Sequence, residues 1–492
     1  MPRSRLRVTI LFALSTASAV MVAVGPGVSV SSPASFPDLD AACSAGQPYF
    51  VTTCLPVGEG QDARPAVLMF RDTAADAPQY QLASMRQVGA VWGLAYSHRE
   101  QAVYAGAFRK RQIQLGPGGS GAIYRIDLAS GAVSLLATVP NAAGSEPVII
   151  GRDNAGKSQA GKIALGDLDL SADERELYVM NLHARQVFRF ALPSGALLGN
   201  FDHGASGEEW ADEARPFGLA VHGGRVFHGL VNAAEGSQKA TDLTAYVYSS
   251  LPDGADMQFS AAIPLQYNRG YIDDPLRFCN AGNFCTGAHF QLRWRPWRGS
   301  LPRPRSGVSY LVQSMPELSD LALLNDGRMV IALRDRLGDA GGKESWLGQP
   351  NEPGVSGIFA FAGDVLVGTP AGTQWIFATD PELIDDSTSG TDESALGGLA
   401  YLPGVDRLVS THLEYERGSF GLRPAGIWYD PASGQKHARE LVCSLNARYP
   451  SPWTTAPTGI GLGRLGLRME PSVARADNGE VALSGLTLFD TI

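Results

Sequence analysis

One five-residue phrase recurs along the chain, and no other feature limits its possible folds as strongly. It reads Trp92-Gly93-Leu94-Ala95-Tyr96, Gly166-Asp167-Leu168-Asp169-Leu170 and Phe217-Gly218-Leu219-Ala220-Val221. It returns as Ser319-Asp320-Leu321-Ala322-Leu323, Gly397-Gly398-Leu399-Ala400-Tyr401 and Gly463-Arg464-Leu465-Gly466-Leu467. In five of these six copies a short polar turn follows, and then a second apolar run such as Leu177–Met180 or Met329–Ala332. A strand, a tight polar turn and a strand make a β-hairpin. Most copies continue with a third run, as in Ala122–Leu128, Gln186–Phe190 and Gly426–Asp430, followed by Ser130-Gly131, Ser194-Gly195 or Ser433-Gly434 and a fourth run. Four antiparallel strands repeated in this way predict an all-β chain folded as a single β-propeller, because a blade cannot bury both of its faces alone. With 57 glycines and 31 prolines, the composition agrees with many turns and short strands.

Six four-stranded blades are expected. A seventh has room between Phe217 and Leu318, but the second half of that stretch holds no copy of the phrase, so residues 266–316 read as a long insertion. The runs Tyr49–Thr53, Ala66–Phe70 and Tyr80–Ser84 precede the first copy and lack an opening strand, whereas the copy at Leu465 lacks a continuation. The N-terminal strands are therefore expected to complete the blade that contains Leu465, a closure that removes two exposed sheet edges. This places the propeller at 49–470, between an N-terminal extension at 35–48 and a C-terminal tail at 471–492.

Three arginines within Met1–Arg7 followed by the uncharged, mostly apolar stretch Val8–Gly25 have the form of a secretory signal, read over residues 1–34. The expected location is secreted and extracellular, with no membrane span in the mature chain. Five cysteines suit an oxidising compartment, and Cys279 and Cys285 bracket a short turn that a disulfide would close. A net charge of -9 does not describe a basic surface, so nucleic acid is not an expected partner.

Chemical motifs are sparse. The sequence holds no GxSxG elbow and no HExxH pair, and no metal-ligand set is read from it. The residue before the central leucine of the phrase is Gly93, Asp167, Gly218, Asp320, Gly398 and Arg464 in turn. Innermost strands converge on the axis, so Asp167, Asp320 and Arg464 are expected on alternate blades around a central channel, holding a cation, a polar ligand or a hydrated charge network. The long connections join strand two to strand three or one blade to the next, and both kinds emerge on one face, the candidate working face. On the insertion, Arg293-Trp294-Arg295-Pro296-Trp297-Arg298 is the densest aromatic and cationic run. Tryptophan and arginine anchor interfaces and stack on sugars, so Arg293, Trp294, Arg295 and Trp297 are the expected ligand contacts; the competing reading is a tryptophan cluster propping the rim.

The runs Arg215-Pro216-Phe217-Gly218-Leu219, Leu243–Tyr248, Leu265–Gly270, Trp294–Trp297, Leu318–Ala322 with Asp335-Arg336-Leu337-Gly338, and Ala395–Ala400 follow one another in a familiar order. Taken together, from about residue 49 to 470, the chain resembles the large secreted propeller module that often precedes serine-aspartate-repeat-type B domains in bacterial surface proteins. No B-type domain and no anchor is read after the propeller. The resemblance implies extracellular recognition or adhesion of a glycan or protein ligand and supplies no catalytic residues. The alternative is a metal-dependent, lactonase-like or other hydrolytic six-bladed enzyme, with Ca2+ or another divalent cation held by the channel acids.

Overall fold

The computed structural model describes residues 49–55, 63–71, 79–143, 153–269, 271–272, 290–291, 293–300, 310–311, 313–341, 358–359, 363–383, 395–402, 406–415, 422–441 and 481–488. The chain opens with β1 (Tyr49–Cys54), β2 (Pro65–Arg71) and β3 (Gln79–Ser84). Blade I then comprises β4 (Val91–Ser97), β5 (Ala102–Ala107), β6 (Ala122–Asp127) and β7 (Val133–Thr138). Blade II comprises β8 (Leu165–Leu170), β9 (Glu176–Asn181), β10 (Gln186–Ala191) and β11 (Ala196–Asp202). Blade III comprises β12 (Ala214–His222), β13 (Arg225–Asn232), β14 (Thr244–Ser250) and β15 (Gln258–Pro264). The insertion carries the two-residue strands β16 (Tyr271–Ile272), β17 (Phe290–Gln291) and β18 (Tyr310–Leu311). Blade IV follows as β19 (Pro316–Leu323), β20 (Met329–Asp335), β22 (Asp364–Ala371) and β23 (Gln374–Glu382), with β21 (Ile358–Phe359) in the connection between its second and third strands. Blade V comprises β24 (Ala395–Leu402), β25 (Arg407–Tyr415), β26 (Leu422–Tyr429) and β27 (Lys436–Leu441), and β28 (Val481–Leu488) comes last.

The protein is all-β, with six four-stranded blades. The sixth is ordered β28-β1-β2-β3, so the three N-terminal strands are completed by a C-terminal one and the ring is sealed by both ends of the chain. The innermost strands β4, β8, β12, β19, β24 and β28 adjoin one another in that order and return to β4. The closing strand differs from the expected one. It is Val481–Leu488, placed by the sequence reading in the tail, and it carries its own form of the phrase, Ser484-Gly485-Leu486-Thr487-Leu488. The copy around Leu465 lies outside the described residues.

The phrase marks a bulge. In β4, β8, β12, β19 and β24 the pairing with the second strand shifts register immediately before or beside the central leucine. A bulge removes a residue from the ladder and leaves backbone donors to be satisfied elsewhere. Close packing explains the glycine common at this point: a Cβ on Gly93 would lie 2.2 Å from Leu168 Cδ1 and 2.6 Å from the Gly166 carbonyl oxygen of the next blade.

The recurring Ser-Gly pair is a turn device. Gly131, Gly195 and Gly434 have φ of 71°, 69° and 69°. Each donates its N–H at 2.8 Å to the carbonyl four residues earlier, on Asp127, Ala191 and Asp430 respectively. Left-handed backbone of this kind favours glycine. These turns lie at the end of the ring opposite the long connections, which gather on the other face.

Candidate functional site

The long-connection face is tied together by buried charge. Arg109, Lys110, Arg111 and Gln112 follow β5 and are buried, although three of them are cations. Asp153 caps the short helix α2 (Asn154–Gln159), the second of three described α-helices after α1 (Met85–Val88), and accepts from the Gly156 N–H at 3.0 Å. It also binds Arg109 Nη2 at 2.6 Å and the Gln112 N–H at 2.8 Å, and these donors hold its carboxyl below the usual range against the opposing effect of burial. Arg109 Nε donates to Gln159 Oε1, also in α2, at 2.9 Å.

A second cluster reaches blade IV. There β20 leads into α3 (Arg336–Gly341), whose residues are all buried. Lys110 Nζ donates to the Gly338 carbonyl at 2.8 Å and to Asp339 Oδ1 at 3.1 Å. The Arg111 N–H reaches the Asp339 carbonyl at 3.0 Å, and its Nη1 reaches the Gly341 carbonyl at 2.9 Å. Arg334 grips the same Asp339 with Nε at 2.6 Å and Nη2 at 2.5 Å, gives Nη1 to the Leu396 carbonyl of blade V, and lies 4.3 Å over the Trp92 ring of blade I. Blades I and IV are opposite members of a six-membered ring, so residues 109–113 and α3 form a strap across the axial mouth. Burial pulls the Lys110 amine down to about 8 even with Asp339 beside it.

The insertion from Gln266 to Pro316 joins the last strand of blade III to the first of blade IV on this same face. Its tryptophans point inward. Trp294 is 3% exposed and Trp297 0%. Trp294 Nε1 donates to Tyr267 Oη at 2.9 Å and Asp364 Oδ2 at 3.0 Å, while Arg269 stacks 3.6 Å over its ring and donates Nη2 to Asp364 at 2.7 Å. Tyr267 Oη also donates to Asp364, whose charge adds to burial in pushing the phenol well above its ordinary value. Trp297 Nε1 donates to the Pro316 carbonyl at 2.8 Å, and Arg336 stacks 4.6 Å over its ring. The expected display of both tryptophans to a ligand is thus corrected to interior props of the rim. Arg293, Arg295 and Arg298, which alternate with them, are exposed.

The axial acids of the phrase serve the bulges. Asp167 accepts from its neighbour Leu168 N–H at 2.9 Å and, across the blade boundary, from the Leu219 N–H at 3.2 Å. Asp320 repeats the device with the N–H groups of Leu321 and Leu399, each at 2.8 Å. Each carboxylate therefore stitches one blade to the next with oxygens that a channel ligand would need. Burial and then the nearby Asp320 push the Asp167 carboxyl well above its usual range. Arg464, Cys279 and Cys285 lie outside the described residues. Among the described residues no group of three or more His, Cys, Asp or Glu side chains is arranged to hold a metal.

Glu317, at the start of β19, was not singled out by sequence. It is 1% exposed, and neither carboxyl oxygen accepts a hydrogen bond. Burial and then Asp339 lift it to about 8, opposed by Arg334 and Arg336. Burial likewise lifts Asp335 to about 7 and Asp169 to about 6.

No family model matches the chain. It is similar to Colossin-B of Dictyostelium discoideum, 24% identical over 392 residues that cover 73% of this chain and 10% of that protein. To Colossin-C of the same organism it is 22% identical over 505 residues, covering 89% of this chain and 46% of the relative. The chain thus spans less than half the length of either. Among solved structures it is similar to the periplasmic gluconolactonase of Pseudomonas aeruginosa, with a TM-score of 0.37 and 15% identity, covering 80% of this chain and 95% of that one. A likeness this distant carries no activity across. The expected propeller is present, while the relatives named here come from Dictyostelium and not from a bacterial surface.

Two outcomes follow from this geometry. Trp297→Ala empties a buried site and strands the Pro316 carbonyl, so chemical denaturation is expected to show a loss of about 3–5 kcal/mol. Asp169, Asp335 and Glu317 bind protons more tightly folded than unfolded, so their contribution is complete below about pH 4 and is lost as pH rises through about 6, 7 and 8. Melting temperature is expected to fall across that window, with Glu317→Gln flattening its upper end.

Proposed function

We propose that the chain is a secreted extracellular binding module that recognises a glycan or protein ligand through its long-connection face, with Arg293, Arg295 and Arg298 as the contacting side chains. The observation that carries this reading is the alternation on the insertion. Trp294 and Trp297 are buried and hydrogen-bonded, and the arginines between and beside them are exposed. Two anchored rings hold the backbone that carries the three arginines, and a preorganised backbone loses little loop freedom on binding. Guanidinium groups favour carboxylate, sulfate or phosphate oxygens, which they bind as planar, bidentate donors. The ligand class is therefore an acidic glycan or an acidic protein surface.

The arginine-rich start of the chain and its apolar stretch support export, and the partial coverage of the colossins suits a module that also occurs within larger proteins. Among the described residues no helix is long and apolar enough to cross a membrane.

The test is an array of acidic and neutral glycans together with acidic proteins, probed with the parent and with a variant carrying Arg293→Ala, Arg295→Ala and Arg298→Ala. Because the three side chains are exposed, the variant is expected to melt like the parent. Its affinity for an acidic ligand should fall about a hundredfold, as three exposed charge-assisted contacts at about 1 kcal/mol each amount to roughly 3 kcal/mol. Unchanged affinity in a variant of unchanged stability would end this reading.

A further inference from the structure

Arg334 has two acidic neighbours and hydrogen-bonds to one of them. Glu317 is its direct cross-strand partner in the β19–β20 register, so the two side chains leave the same face of the sheet. The guanidinium nevertheless gives Nε and Nη2 to Asp339 and Nη1 to the Leu396 carbonyl. Glu317 lies beside it with both oxygens empty in a closed interior. A buried carboxyl in that condition is tolerated when neutral and costly when charged.

The other charged groups packed around it are also engaged. On α3, Arg336 spends its donors on the carbonyls of Ala160, Lys157, Ser158 and Arg298, and Asp339 is held by Arg334 and Lys110. On β20, Asp335 accepts from the Met315 and Leu337 N–H groups. From the segment after β5, Lys110 is committed to Gly338 and Asp339. In the connection before β8, Gly161 abuts the carboxyl: a Cβ there would lie 2.0 Å from Glu317 Oε1. Beyond Trp297, Glu235 binds Lys162 and Arg215. Arg334 and Arg336 are the guanidinium groups whose charge reaches Glu317, and Arg334 is its cross-strand partner; recruiting Arg334 takes two charge-assisted hydrogen bonds from Asp339.

We propose that Glu317 is a proton-operated latch on the strap across the axial mouth: protonated, it leaves Arg334 on Asp339 and the strap closed, and on losing its proton it draws Arg334 away and releases α3 and residues 109–113. The element is bistable because one guanidinium cannot serve both acids in full. Release also lifts Arg334 off the Trp92 ring and uncovers the axial mouth. Since the Glu317 carboxyl is lifted to about 8, the transition belongs to the mildly alkaline range. The latch stands independently of the ligand proposed for the arginine ridge.

The test is amide hydrogen exchange of the full chain followed by mass spectrometry from about pH 6 to about pH 9.5, corrected for the base-catalysed intrinsic rate. Peptides covering residues 109–113 and 336–341 are expected to lose protection about tenfold per pH unit as pH rises toward about 8 and to level off above it, as opening linked to one proton requires. Peptides from blade II should stay protected. Glu317→Gln is expected to keep the strap closed throughout, and Asp339→Asn to leave it open at every pH. A strap protected over the whole range, or an identical profile in the parent and Glu317→Gln, overturns the proposal. If Glu317→Gln does not fold, the parent decides alone. Opening confined to the strap and reversed on acidification supports the latch, whereas opening shared with blade II overturns it.

Discussion

The arrangement of the long-connection face depends on one buried carboxylate. Asp339 accepts from Lys110, contributed by blade I, and from Arg334, contributed by blade IV, and all three side chains are at most 2% exposed. Desolvating three charges costs several kcal/mol per ion, and such a cluster often breaks even against an apolar one of the same shape. What it supplies is definition, because a half-satisfied version is far worse than either the complete cluster or none. Residues 109–113 and 336–341, from opposite sides of the ring, are thereby held in one arrangement, where loop segments would otherwise sample many.

The propeller itself rests on a more repetitive logic. Each innermost strand bulges at its central leucine, and the N–H groups released there must find acceptors at the crowded axis. Asp167 and Asp320 provide them between blades II and III and between blades IV and V. An axial acid in this ring is thus first a structural acceptor, and the binding face proposed above lies outward on the rim. There the aromatic half of the insertion is anchored by Asp364 and the Pro316 carbonyl, and its cationic half faces solvent.

The architecture was legible because a blade is a local object. Its phrase, hairpin and Ser-Gly turn lie within a few dozen residues, and Gly131, Gly195 and Gly434 adopt the same turn. Closure was legible only in outline. The three N-terminal strands were recognised as lacking a first strand, but Ser484–Leu488 resembles the phrase no better than Gly463–Leu467 does, and sequence similarity cannot choose between two strands when long-range pairing decides. The buried network was not legible, since its partners come from separate connections: Arg109 to Arg111, Asp153, Glu317 and Arg334 to Asp339. One signal was present. The basic run directly after β5 and the Arg334-Asp335-Arg336 run at the end of β20 both continue apolar strands, where solvent-facing charge has no reason to cluster at matching places. For Trp294 and Trp297 the composition was informative and the direction was not, because a ring that anchors a ligand and a ring that props a rim have the same side chain.

A double-mutant cycle on Lys110 and Asp339 bears most directly on the claim that this cluster binds opposite blades into one face. Unfolding free energies would be measured for the parent, Lys110→Ala, Asp339→Ala and the pair. Each single change should cost about 3–5 kcal/mol by leaving a buried charge without its partner. The double change should cost about 2 kcal/mol less than the sum of the two, the coupling expected of groups in one buried network. Additivity to within about 0.5 kcal/mol would contradict the account, for it would mean that the two loops are held in place independently.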